Sequence, residues 1–176
     1  MALIDISAAT MFGNMTTPSL NNHRDGNTGT YSYYANTDGW TGCVLTVATP
    51  IISAQIDSAD NGFDASGLST SITIDLYGKS TSGAPSTVTD GTLLATTTFT
   101  DVESITTKTL TPSDTSTLFY SVWFRVRTGV WAVASEIRFY NNSDSTIKKA
   151  AGVIRASLKK VAGVVIASIK KISGVQ

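Results

Sequence analysis

The segment Ser71-Ile-Thr-Ile-Asp-Leu-Tyr77 alternates over seven residues, with Ile72, Ile74 and Leu76 on one face. A period of two marks a half-buried strand. Strand-like runs recur along the chain at roughly ten-residue spacing. They are Val44, Leu45 and Val47, then Ile52, Ala54 and Ile56 after a break at Thr49-Pro50, and later 92–99, 105–110, 118–126 and 133–140. The stretch 78–90 reads as a long polar loop with Gly83 and Pro85, and Pro18 with Asn21-Asn22 marks a turn in the weakly patterned start. No convincing amphipathic helix interrupts this series, which restricts residues 1–142 to an all-β antiparallel sandwich or barrel. Composition agrees: only 15% of residues are charged, and Thr, Ser and Gly are abundant where a helical protein would use Ala, Leu, Glu and Lys.

The end of the chain follows another rule. Ile147-Lys-Lys, Leu158-Lys-Lys and Ile169-Lys-Lys repeat every eleven residues, as do Gly152-Val153, Gly163-Val164 and Gly174-Val175. Charge divides at the same place. Six bases against thirteen acids leave 1–146 at −7, and seven bases with no acid leave 147–176 at +7. Eleven residues fit a 3.67-residue helical period, and a basic amphipathic helix would suit a membrane surface or an acidic partner. However, a glycine in every unit costs about 1 kcal/mol relative to Ala inside a helix, and the Val and Ile content favours strands. Short β units are the favoured reading. Such units gain stability by stacking, so several chains assembling around an axis would help. The predicted division is therefore a domain at 1–142, a linker at 143–146 and an oligomerisation or docking tail at 147–176. Its contact residues are Ile147, Val153, Leu158, Val161, Val164, Ile169, Ile172 and Val175, and the expected partner is a second and third copy of the chain, a homotrimer. Seven positive charges without aromatic or base-reading residues give no specific nucleic-acid binding. No apolar run is long enough to span a membrane.

Catalytic material is scarce. A single histidine, His23, beside a turn, is expected to be solvated, and no catalytic residue is assigned. Cys43 is the one cysteine, which excludes an internal disulfide, and it reads as a small buried thiol. Asp25-Gly-Asn27 followed by Thr30 offers the carboxylate, turn and neutral oxygens that a hard cation needs. The same residues equally describe an Asp-Gly turn with no metal. Tyr31, Tyr33, Tyr34 and Trp40 lie within ten residues, and aromatic faces either stack on sugar rings or fill cores. Trp40 opens an apolar run and is expected in the core. Tyr33, Tyr34 and Asn36 are the candidates for an exposed ligand loop. Arg127, Trp131 and the Asp60-Asn-Gly-Phe63 loop would join them at one end of the sandwich.

The order of four segments resembles the discoidin, or coagulation factor 5/8 type C, family. These are Arg24-Asp-Gly-Asn-Thr-Gly-Thr-Tyr31, Gly39-Trp-Thr-Gly-Cys-Val-Leu45, Ile52-Ser-Ala-Gln-Ile56 with Asp60-Asn-Gly-Phe63, and Ala134-Ser-Glu-Ile-Arg-Phe-Tyr140. The resemblance covers about residues 14 to 141. It implies a jelly-roll β-sandwich, and one structural calcium ion held by Asp25, Asn27, Thr30 and Glu136. Val44 departs from the Asp usual in that family, and no exposed membrane-binding spikes are identifiable. The repeat tail resembles tandem tails of predicted phage virion proteins. Together with an opening segment that lacks a basic n-region, this implies a bacteriophage virion protein made in the host cytoplasm. It would be a fibre, tail or capsid-surface appendage that meets other virion proteins and host-surface glycans. The competing expectations are a purely structural, shell-decorating protein without a ligand and a cellular carbohydrate-binding module.

Overall fold

A computed structural model describes residues 1–64 and 71–142. The linker and the repeat tail, with all eight of its expected contact residues, lie outside the described residues. Strands β1 (Ala2–Leu3), β2 (Thr10–Gly13), β3 (Ser32–Tyr34), β4 (Asp38–Pro50), β5 (Ser53–Asp57) and β6 (Ser71–Lys79) are followed by β7 (Thr92–Thr100), β8 (Thr107–Leu110), β9 (Leu118–Arg127), β10 (Ala132–Ala134) and β11 (Ile137–Asn141). One sheet has the order β2-β4-β9-β6-β7, a second β1-β11-β5-β8, and β10 pairs with β3 as a ribbon. Every named pairing is antiparallel. The result is the all-β jelly-roll sandwich.

Alternation in the sequence becomes layering in space. Ile72, Ile74 and Leu76 of β6 are fully buried, beside Val122, Phe124 and Val126 of β9 and Cys43 and Leu45 of β4. Ala54, Ile56, Ile137 and Phe139 meet them from the second sheet. Phe124 stacks on Phe139 across the interface, with centroids 5.6 Å apart and planes 16° apart. Removing these side chains from water is the main force holding the two sheets together. Cys43 is buried, as expected of it, and burial pushes its thiol up to about 12.

Two expectations fail here. Trp40 does not enter the core, because β4 turns Thr41, Cys43 and Leu45 inward and leaves Trp40 on the outer face, half-buried against Phe12. His23 is not solvated. A short 3-10 turn, Leu20–Arg24, carries it into the interior, where Nδ1 lies 2.7 Å from Thr41 Oγ1.

The β1–β11 register, Ala2 opposite Asn141, puts the start of β1 and the end of β11 at one end of the sandwich. The opposite end gathers the connections around 35–37, 58–64, 101–106 and 128–136. Backbone bonds tie these together, from Thr128 N to Thr37 O, from Ser58 N to Thr106 O and from Val133 N to Phe63 O. This is the loop end, and it holds both sequence-predicted sites.

Candidate functional site

At the loop end Tyr33 and Trp131 form a stack, with centroids 5.6 Å apart and planes only 12° apart. Tyr33 sits in β3 opposite Val133 of β10, so the ribbon fixes one ring. Trp131 lies in the loop before β10 and is 43% exposed, which is unusual for so large an apolar side chain. A buried carboxylate holds that loop. Asp64 accepts from the backbone N–H of Gly129 at 3.0 Å, Val130 at 3.1 Å and Trp131 at 3.4 Å. Asp64 is itself positioned by Asp101, whose Oδ2 accepts from the N–H groups of Phe63 at 2.8 Å and Asp64 at 2.9 Å. Burial raises the Asp101 carboxyl above its ordinary range despite these bonds.

The other predicted ligand residues divide. Asn36 is exposed at the same end, with its carbonyl accepting from Ala132 N and its Oδ1 from Thr37 N. Asp60 is exposed in the 59–62 turn, where Gly62 takes φ +89° and any Cβ would stand 2.6 Å from Asp101 Oδ2. Tyr34 is half-buried and packs against the core. Phe63 is corrected outright: it is fully buried, edge-on to Phe99, because Asp101 draws its backbone inward. Arg127 projects on the outer face of the five-stranded sheet and pairs with Asp75 at 2.8 Å. Sequence reasoning missed Asp64 and Asp101. An Asp beside an apolar turn residue hints at a backbone anchor, but which loop it anchors is set only by the tertiary fold.

The four residues expected around a cation do converge. Asp25 accepts from Asn27 N at 2.8 Å and from Thr30 Oγ1 at 2.6 Å. Glu136, 110 residues away, accepts from Gly26 N at 2.9 Å and Asn27 N at 3.2 Å. The two carboxyl groups touch, and their titration is split. Burial and the Asp25 contact raise Glu136 to about 7. Burial also acts on Asp25, but bonds from Thr30, Glu136 and Asn27 outweigh it and leave that carboxyl lowered. Two carboxylates with a hydroxyl and a carbonyl beside them make an all-oxygen set that fits a hard dication. Among the described residues no group of three or more His, Cys, Asp or Glu side chains is placed to hold a metal ion, so the set here has only two carboxylates.

No protein-family model matches the sequence, and no curated protein matches it. Solved structures match the fold. The family 32 carbohydrate-binding module of Clostridium perfringens NanJ, solved with galactose, aligns at a TM-score of 0.57 over 79% of this chain and 98% of its own, with 16% identity. A Streptococcus pneumoniae fucose-binding module aligns at 0.53 over 81% and 100%, with 14% identity. An F5/8 type C domain from Bacteroides fragilis aligns at 0.53 over 80% and 95%, with 11% identity. The fold is thus that of family 32 carbohydrate-binding and F5/8 type C domains. At these identities the likeness fixes the architecture only.

Proposed function

We propose that this protein is a non-catalytic binding protein whose sandwich presents a carbohydrate site at its loop end. The observation that carries the reading is the Tyr33–Trp131 stack, held in place through Asp64 while Trp131 stays exposed. A flat, pre-set aromatic face suits the apolar face of a pyranose, and little ordering cost remains for binding. Asn36 and Asp60 would supply hydrogen bonds to the sugar's hydroxyls. The ligands of two structural neighbours, galactose and fucose, support this class. The test is an immobilised glycan panel probed with the full chain and with Trp131→Ala. Binding that falls about tenfold in the variant supports the site, and a panel with no binder sinks it.

A calcium ion held by Asp25, Asn27, Thr30 and Glu136 belongs to the same proposal. It would brace the 25–30 loop against the start of β11 and neutralise two adjoining carboxylates. A chelator that leaves the melting temperature unchanged would refute it. The wider assignment is to a phage virion appendage assembled through the repeats at 147–176. It is supported by the sequence of those repeats and by the opposed charges of the two parts. Comparing the solution mass of the whole chain with that of a 1–146 truncation tests it. Two monomers would leave a cellular carbohydrate-binding module as the better reading. Regular oligomers with no glycan affinity would favour a purely structural protein.

A further inference from the structure

The outer face of the five-stranded sheet carries a second set of groups that neither the loop end nor the core uses. Direct antiparallel partners project on the same face, so register assigns its rows. One row is Asp38, Arg127, Thr73 and Thr98, the next Trp40, Arg125, Asp75 and Thr96, and the third Phe12, Gly42, Trp123 and Tyr77. The 80–91 loop covers Trp123 in the third row, whose Nε1 donates to Val88 O at 2.8 Å. The first row stays open, with Thr98 exposed, the Arg127 side chain 45% exposed and that of Asp38 41%. In the second row Thr96 is exposed, the Arg125 side chain is 21% exposed and Asp75 is buried. Trp40 is half-buried, with its ring centroid 5.6 Å from that of Phe12.

The polar groups around Trp40 are fixed in place. Arg125 grips Asp38 with two bonds, Nε to Oδ1 at 2.8 Å and Nη2 to Oδ2 at 2.6 Å. Asp75 accepts from Arg127 Nη2 at 2.8 Å and from Thr96 Oγ1 at 2.6 Å. Two acids and two bases, each paired, leave this patch without net charge, so it has no pull on a polyanion or a cation. What it does offer is the half-buried indole of Trp40, bordered by planar donor and acceptor groups and by threonine hydroxyls. A ring that is apolar on one face and hydroxylated around its rim complements that arrangement. We propose that the outer face is a second carbohydrate site, for neutral sugars. Trp40 is its platform, and Asp38, Arg125 and Arg127 form its hydrogen-bonding rim. The inference shares its ligand class with the proposed function but none of its residues.

The two fail separately under one experiment. In the 15N-labelled full chain the three tryptophan indole signals are assigned by single Trp→Phe variants, then followed during titration with neutral oligosaccharides ending in galactose, glucose, mannose, fucose or N-acetylglucosamine. The Trp40 indole and the Arg125 Nε–H signals are expected to move along a saturable curve, and to do so equally in Trp131→Ala. Trp40→Ala should weaken that phase about tenfold. The wild-type titration stands even if that variant does not fold. Movement of the Trp131 signal alone overturns the outer-face site and spares the loop end. Movement at Trp40 alone does the reverse. Silence with every sugar removes both. A Trp40 signal that moves only with protein concentration marks a self-contact and overturns the sugar assignment.

Discussion

Two loops of this sandwich are held by aspartates and put their anchors to opposite ends. The 80–91 loop is tied by Asp90, which takes Lys79 Nζ at 3.0 Å and Ser86 N at 2.8 Å, and by Ser121 Oγ donating to Gly83 O. Those bonds hold it as a roof over Trp123, whose indole is also stacked on Tyr77 with planes 8° apart. The 128–131 loop is tied by Asp64 through three backbone donors, and the result is a tryptophan left in solvent. Comparable fastening hides one indole and displays another. The exposure of Trp131 is therefore a product of the anchoring, and it marks that end as a place for contact.

The comparison breaks most visibly at Trp123. Trp123→Ala should cost about 3–5 kcal/mol in a denaturant melt and open the 80–91 loop to protease. A loss under about 1 kcal/mol would show that the roof is not held by what lies beneath it. Asp64→Ala should cost about 1–3 kcal/mol, since three loop donors lose their acceptor. Relaxation of the Trp131 indole signal should then report faster motion, and an unchanged indole would mean that the stack on Tyr33 suffices. Proton linkage contributes at most about 3 kcal/mol for each group, and the two groups oppose each other. His23 is lowered by burial to about 4, so the folded state binds fewer protons than the unfolded one between about pH 4 and 6.5, and stability rises with pH there. Glu136 is raised to about 7, so the metal-free folded state holds its proton longer, and stability falls as pH rises from about 4.5 to 7. His23→Gln in chelator should leave only the falling slope. Added calcium should abolish that slope by requiring both carboxylates ionised, and a slope that calcium does not alter would remove the metal. Trp131→Ala is expected to change the melt least, within about 0.5 kcal/mol, while sugar binding falls about tenfold.

Much of the scaffold could be read from alternation alone. The pattern Ile72, Ile74, Leu76 appears unchanged as the buried face of β6, because that strand lies inside a sheet with one wet face. Short strands such as β1 and β2 left no pattern, since two to four residues are too few for a period and their pairing partners lie far along the chain. Trp40 was misread for a subtler reason. Apolar character suggested the core, but the phase of β4 is set by Cys43 and Leu45, and Trp40 is out of step with them. Gly42, the next outward position of β4, has no room for a side chain: a Cβ there would lie 2.3 Å from Trp123 Cβ and 2.3 Å from Val122 O. His23 and Phe63 were misplaced because a turn and a carboxylate anchor, neither visible as a pattern, turn them inward. The meeting of the 25–30 loop with Glu136 was legible only through family resemblance, because spacing cannot bring Gly26 and Glu136, 110 positions apart, together.

The solitary Cys43 turns the molecule into its own clock. With one sulfhydryl in the whole sequence, sealed in the interior and reluctant to ionise, a thiol-reactive reagent meets its target only when the sandwich opens. Labelling under native conditions thus counts openings one molecule at a time and with no background from other cysteines. At high reagent concentration the count becomes the opening rate itself, and at low concentration the fraction of time spent open.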